Sequence, residues 1–387
     1  MTDPEHGDPE RRRSPLHEVH AAEGATFTDF AGWSMPLKYG SELAEHAAVR
    51  TAAGLFDLSH MGEIVVLGPE AGEALDAALL GEISAVETGR AKYTLMLNGE
   101  GGVVDDLVVY RTGPDRFLVV ANASNRETVA AELRSRAVGF QTEVQDESED
   151  IGLLALQGPL ALDVLTEVGG FSADQDERTE QRFVELLTAL RNYRFLAAWY
   201  RGHPILVART GYTGEIGYEL FLAPALLPQL WRAIRETGAG SGVVPVGLAA
   251  RDTLRLEAGM PLYGNELTPL TRPQQAGLGR LVRGEKTADY VGRDAVEGFD
   301  PAGQRILVGL TCEGRRAGRH GYPVRAGDDV VGEVTSGALS PSLGHPIAMA
   351  YVDPAAVAAD LAIDVRGTAL PARVVPLPFY KRPERKA

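Results

Sequence analysis

Residues 92–110 read KYTLMLNGEGGVVDDLVVY. Two apolar runs flank NGEGG at 98–102, where an asparagine and three glycines favour a tight turn. Strands joined by so short a turn must run antiparallel, because a parallel pair needs a crossover of about a dozen residues or more. This hairpin therefore argues against a doubly wound parallel sheet and for an antiparallel α+β fold. Its second strand carries an oddity. Side chains alternate along a strand, so Val103, Asp105, Leu107 and Val109 share one face, and Val104, Asp106, Val108 and Tyr110 the other. Each face holds one carboxylate among apolar neighbours. An uncompensated buried carboxylate is costly, so at least one of the two needs a dedicated partner or a task. One reading is an edge strand with one aspartate solvated and the other paired; the other is a carboxylate held in a cleft to accept a proton.

The same mixture extends in both directions. SELAEHAAVRTAAG (41–54) predicts a helix capped by Ser41 and stopped by Gly54. GPEAGEALDAALLG (68–81) predicts one with Pro69 in its first turn, and SNRETVAAELRSRAVG (124–139) one with a Ser124–Glu127 capping box. GEIVVLG, DRFLVVAN and IGLLALQG read as strands between them. Further on, ALLPQLWRAIRE and GLAARDTLRLEAG read as helices around the strand pair of ILVARTGYTGEIGYELFLA. From about Arg305 the texture changes to short strands separated by Gly, Pro and Asp turns, which predicts a separate C-terminal β-barrel or sandwich. The boundary is expected within residues 284–304, giving a region 15–285 and a barrel 300–385.

Bulk composition narrows the function. Lys+Arg number 38 against 53 Asp+Glu, a formal charge of -15, which repels phosphate backbones and argues against nucleic-acid binding. An anionic small ligand would need a local positive cluster. Cys312 is the single cysteine, so an intramolecular disulfide is excluded and a reducing, cytoplasmic setting is expected. No apolar run approaches the roughly eighteen residues of a membrane span. MTDPEHGDPERRRSP lacks the apolar core of a secretory signal and is too acidic for a mitochondrial leader, so residues 1–14 are expected to be a disordered tail.

Three other stretches bear on chemistry. ARTGYTGEIGYEL (208–220) is dense in Gly, Thr, Tyr and Glu. It reads either as a hairpin with a polar turn or as a surface where Tyr212 stacks on a flat ring while Glu215 or Glu219 accepts ring N–H groups. In 247–259, Arg251 and Arg255 lie one helical turn apart, as an ion-paired face or as a clamp for a carboxylate. His60 in FDLSHMGEI is a possible base, although a hydrogen-bonded structural histidine is the default. His17 and His20 have the wrong spacing for a zinc helix and no third ligand, so no metal is expected. TGAGSGVV follows a helix and precedes a strand, the reverse of a dinucleotide loop, and neither a Walker sequence nor G-x-S-x-G occurs.

Taken in order, DFAGWSMPLKYGSELAEHAAVR, GLFDLSHMGEI, GGVVDDLVVY, ARTGYTGEIGYEL, GLAARDTLRLEAGMPLYG and TSGALSPSLGHPIAMAYV resemble the aminomethyltransferase, or T-protein, family of the glycine cleavage system. The resemblance runs from about Ser14 to the terminal PFYKR. It implies a cloverleaf of two interleaved folate-binding subdomains plus a C-terminal β-barrel. It implies an enzyme that moves the one-carbon unit of an aminomethyl group, carried on the dihydrolipoyl arm of H-protein, to the co-substrate tetrahydrofolate, releasing ammonia. By position, Asp106 matches the family's functional aspartate. Met61, Tyr93 and Asn122 match the pterin pocket, Tyr212 and Glu219 the T-G-Y-T-G-E-x-G-Y-E segment, and Arg251 the folate-anchoring arginine. Ala249 departs from the glycine usual there. Flavin-linked demethylating relatives need a domain this chain has no room for, and folate-binding regulators carry a cysteine motif absent here. A stand-alone folate-dependent demethylase remains the alternative.

Overall fold

The structure, a computed structural model, describes residues 11–175, 180–282 and 286–383. The chain divides into two compact units, each assembled from separated stretches: residues 1–61, 147–211 and 215–252 in one, and 62–146, 212–214 and 253–387 in the other.

The first unit is built on a seven-stranded sheet in the order Phe171–Ser172, Phe195–Tyr200, His203–Ala208, Gly217–Leu222, Gly152–Gln157, Gly54–Asp57 and Val244–Pro245. All neighbours are antiparallel except the last pair. Leu227–Gly238 packs Leu230, Trp231 and Ile234 into the core with Leu154, Leu156 and Val207. Ser41 caps the helix Glu42–Thr51 by accepting from the Ala44 amide, as expected. Gly54, expected to stop that helix, instead opens the strand Gly54–Asp57. Of the tail expected to be disordered, residues 1–10 lie outside the described residues. The rest is ordered: Arg12–Arg13 pair in parallel with Trp33–Ser34, and Ser14 is buried with its hydroxyl on Asp57. A long-range carboxylate partner overrides the polar composition here.

The second unit holds a five-stranded antiparallel sheet, Ala91–Leu97, Val103–Gly113, Arg116–Ala121, Gly62–Leu67 and Glu143–Asp146. It also holds a closed six-stranded barrel between Ile306 and Val375. The fold is therefore α+β, as the hairpin at 92–110 implied, with the C-terminal barrel expected from the texture beyond Arg305. That hairpin closes through Asn98 and Gly102, with the Asn98 side chain accepting from the Glu100 and Gly102 amides. A Cβ on Gly102 would lie 1.7 Å from the Pro269 carbonyl oxygen, so only glycine lets the 268–271 loop reach the turn. The expected capping box does not form. The helix runs Arg126–Arg136 behind a 3-10 turn, and Asn125 at its start makes no side-chain cap. Ser124 lies inside that 3-10 turn rather than at the cap position, and the Asn125 side-chain amide donates to Asp105. Among the described residues no helix is long and apolar enough to cross a membrane.

Candidate functional site

The strand Val103–Gly113 sorts its two aspartates as alternation requires. Val103, Asp105, Leu107 and Val109 are buried, while Val104, Asp106 and Val108 are half-buried. Pairing with Arg116–Ala121 begins only at Val108–Val120, so the aspartate end extends past the ladder and meets the segment following Ala121. Asn122 begins that segment. Its side-chain amide donates to Asp105 Oδ1 and Asp106 Oδ1, both at 2.8 Å, and its backbone amide donates to Asp105 Oδ2 at 3.0 Å. Asn125 Nδ2 donates to Asp105 Oδ1 at 2.7 Å, and the Tyr93 hydroxyl donates to Asp106 Oδ2 at 3.1 Å. Burial, and then the neighbouring Asp106 charge, push the Asp105 carboxyl up to about 7 despite these donors. Burial likewise raises Asp106 above the usual carboxylate range, opposed by Tyr93 and Asn122. Both aspartates thus have partners, and Asp106 alone keeps a partly open face.

The second unit also holds Tyr212, whose hydroxyl donates to the Pro261 carbonyl and whose side chain is half-buried. Tyr93, Asp106 and Asn122 are therefore brought into one hydrogen-bonded group.

Met61, Glu219 and Arg251 belong to the first unit. Met61 is half-buried and ends a tight turn, its amide donating to the Leu58 carbonyl. That turn is anchored by Asp57, which accepts from Ser14, from His20 Nε2 at 2.9 Å and from the Ser59 amide at 2.9 Å. Burial works to raise the Asp57 carboxyl, but these donors outweigh it and hold it below its ordinary value. Arg251, in the helix Leu248–Glu257, lines a cavity of about 10 Å³ with Asp57, Phe56 and Met35, room for about one water. Glu219 faces from Gly217–Leu222 and accepts from the Thr210 hydroxyl at 2.5 Å.

Glu215 forms an ion pair with Arg50 at 2.9 Å through two buried side chains. Arg255 is 1 % exposed and pairs with Glu266 at 2.9 Å and Ser336 at 2.8 Å, so it is no surface clamp. His60 departs from the hydrogen-bonded default: it is 2 % exposed, its Nδ1 has no partner among the described residues, and Phe30 meets its ring edge-on. Burial first, then the Arg251 guanidinium, lower it to about 4, with Asp57 opposing. Sequence reasoning missed Asn125, which no local pattern connects to Asp105, and Tyr193. Tyr193 is 43 % exposed with φ 56°, a conformation uncommon outside glycine, and its hydroxyl is raised by burial and by Glu219.

The architecture and this residue set can be set against known proteins. Residues 16–286 match the family described as GCVT N-terminal domain, and 305–381 the glycine cleavage T-protein C-terminal barrel domain. Proteins named aminomethyltransferase from Cutibacterium acnes and Streptomyces coelicolor are 54% and 52% identical, over 96% of this chain and 99% and 98% of theirs. The crystal structure of glycine cleavage system aminomethyltransferase T from Bartonella henselae superposes with a TM-score of 0.85 at 36% identity, over 96% of this chain and 98% of that one. With its two domains matched in order and its relatives matched almost end to end, the chain belongs to the glycine cleavage T-protein family.

Proposed function

We propose that the chain is an aminomethyltransferase that moves the one-carbon unit of an aminomethyl group, presented on the dihydrolipoyl arm of H-protein, to tetrahydrofolate, with release of ammonia. The observation that carries this reading is Asp106: a carboxylate with one partly open face, fixed through both oxygens by Tyr93 and Asn122. Within the second unit, Tyr93 and Tyr212 are aromatic and Asp106 can accept N–H groups, which supports a reduced folate as the ligand. By the family resemblance, Glu219 and Arg251 are proposed as further folate contacts.

Tetrahydrofolate supplies the two amine nitrogens that take up the carbon. Two protons leave those amines, and two are gained, one by the departing ammonia and one by the lipoyl sulfur. Asp106, with a carboxyl raised by burial, is the group placed to accept such a proton. Its negative charge also stabilises positive charge on the carbon as ammonia departs. Asn122 and Tyr93 hold the carboxylate still, so that little reorganisation is needed during the step.

The test is a reconstituted assay with aminomethyl-loaded H-protein and tetrahydrofolate, following ammonia. Activity is expected there and not with sarcosine or methoxylated aromatics. Asp106→Asn, with an unchanged circular dichroism spectrum, should lose about a hundredfold or more in turnover. Turnover near wild type would remove Asp106 from the chemistry.

A further inference from the structure

The reading above gives Asp106 a task but leaves Asp105 without one, and Asp105 is the more expensive residue. It is 0 % exposed, on the strand face whose other members are Val103, Leu107 and Val109. An apolar side chain would fill that position without the cost of burying a carboxylate. What an apolar residue could not do is seize Asn122 from two sides. Asp105 accepts from the Asn122 backbone amide with one oxygen and from the Asn122 side chain with the other, while Asn125 adds a third donor. Asn122 is thereby fixed, and its side-chain amide reaches across to Asp106 Oδ1. One amide thus joins two carboxylates on successive residues.

We propose that Asp105 is a positioning residue of the reaction: it locks the Asn122 amide that holds Asp106. This rests on the assignment of Asp106 as the reacting carboxylate. Like charges so placed favour a shared proton and a coupled titration. The raised Asp105 carboxyl, with Asp106 as its second cause after burial, accords with that. The other titratable groups facing the pair are Tyr93, which donates to Asp106, and Tyr263, whose hydroxyl is raised by burial and by both aspartates. Neither carries positive charge to cancel the coupling.

Asp105→Asn retains the shape but replaces one acceptor oxygen with a donor. It should lower kcat roughly tenfold to a hundredfold through loss of alignment, with KM for tetrahydrofolate little changed. Asn122→Ala should cost a similar factor, and adding Asp105→Asn to it should cost little more, because both act through one amide. Wild-type kcat for Asp105→Asn, or losses that simply multiply in the double variant, would overturn the proposal; a purely structural aspartate would lower the folded fraction but not kcat per folded molecule. Should Asp105→Asn fail to fold, side-chain amide NMR on wild type and Asp105→Glu decides. An Asn122 side-chain amide protected from exchange in wild type, and a kcat that falls with the loss of that protection in the variant, are expected. An unprotected Asn122 amide in wild type would overturn the proposal. Full activity of Asp106→Asn would instead sink the functional reading, whereas an inactive Asp106→Asn beside an unaffected Asp105→Asn would sink only this inference.

Discussion

Glu215 and Glu219 stand four residues apart, and only their surroundings tell them apart. The Glu215 side chain is 4 % exposed and the Arg50 side chain 7 %, so removing the Glu215 charge breaks a buried ion pair. Glu215→Gln is expected to cost about 3 kcal/mol or more of folding stability, with tetrahydrofolate affinity retained in the folded fraction. Glu219 is half-buried and borders Thr210 and Tyr193. Glu219→Gln should leave the melting temperature nearly unchanged while weakening tetrahydrofolate binding in calorimetry. If the two variants exchange phenotypes, the assignment of Glu219 to the ligand is wrong. From the sequence both are acids in one motif, because Arg50 lies 165 residues away and leaves no local mark. Arg251 and Arg255 teach the same lesson: one helical turn separates them, yet Ser336 and Glu266 draw Arg255 wholly inside.

The elements themselves were far more legible, because turn chemistry and alternation are local. In the hairpin around NGEGG, Asn98 and the glycines dictate the turn, and alternation along Val103–Gly113 correctly separates a buried aspartate from a half-buried one. Legibility ended where a side chain served a distant partner. Asn125, not Ser124, stands at the start of the helix Arg126–Arg136 and donates its amide to Asp105, and Ser14 reaches from the polar tail to Asp57. Within the hairpin, Gly102 carries a constraint beyond the turn. A methyl group there would strike the Pro269 carbonyl, and Val103 donates to the carbonyls of Thr268 and Thr271 in the same loop. Gly102→Ala is therefore expected to destabilise by about 1–3 kcal/mol and to disturb the Asp105–Asp106 end of the strand. Urea denaturation would measure the first, and the acid limb of the rate profile the second. An alanine variant as stable as wild type would mean that the loop yields freely.

At the scale of the whole molecule, His60 and Asp105 act against each other as pH falls. His60 is lowered from 6.5 to about 4, so the unfolded chain binds its proton first. The stability that His60 contributes is complete above pH 6.5 and is lost between there and about 4, a loss of roughly 3 kcal/mol. Asp105 is raised from 3.8 to about 7, so the folded chain binds its proton first and gains stability over nearly the same interval, about 4 kcal/mol. The two contributions oppose each other between pH 7 and 4, where the raised Asp106 acts in the same direction as Asp105. Removing one side should expose the other. Asp105→Asn is expected to make stability fall more steeply from pH 7 to 5, and His60→Phe, which replaces an unpaired buried imidazole beside Phe30, to flatten or reverse that fall. Urea denaturation at pH 7, 6 and 5 reads both slopes directly. Three parallel profiles would show that neither group titrates between the folded and unfolded chain as its burial requires.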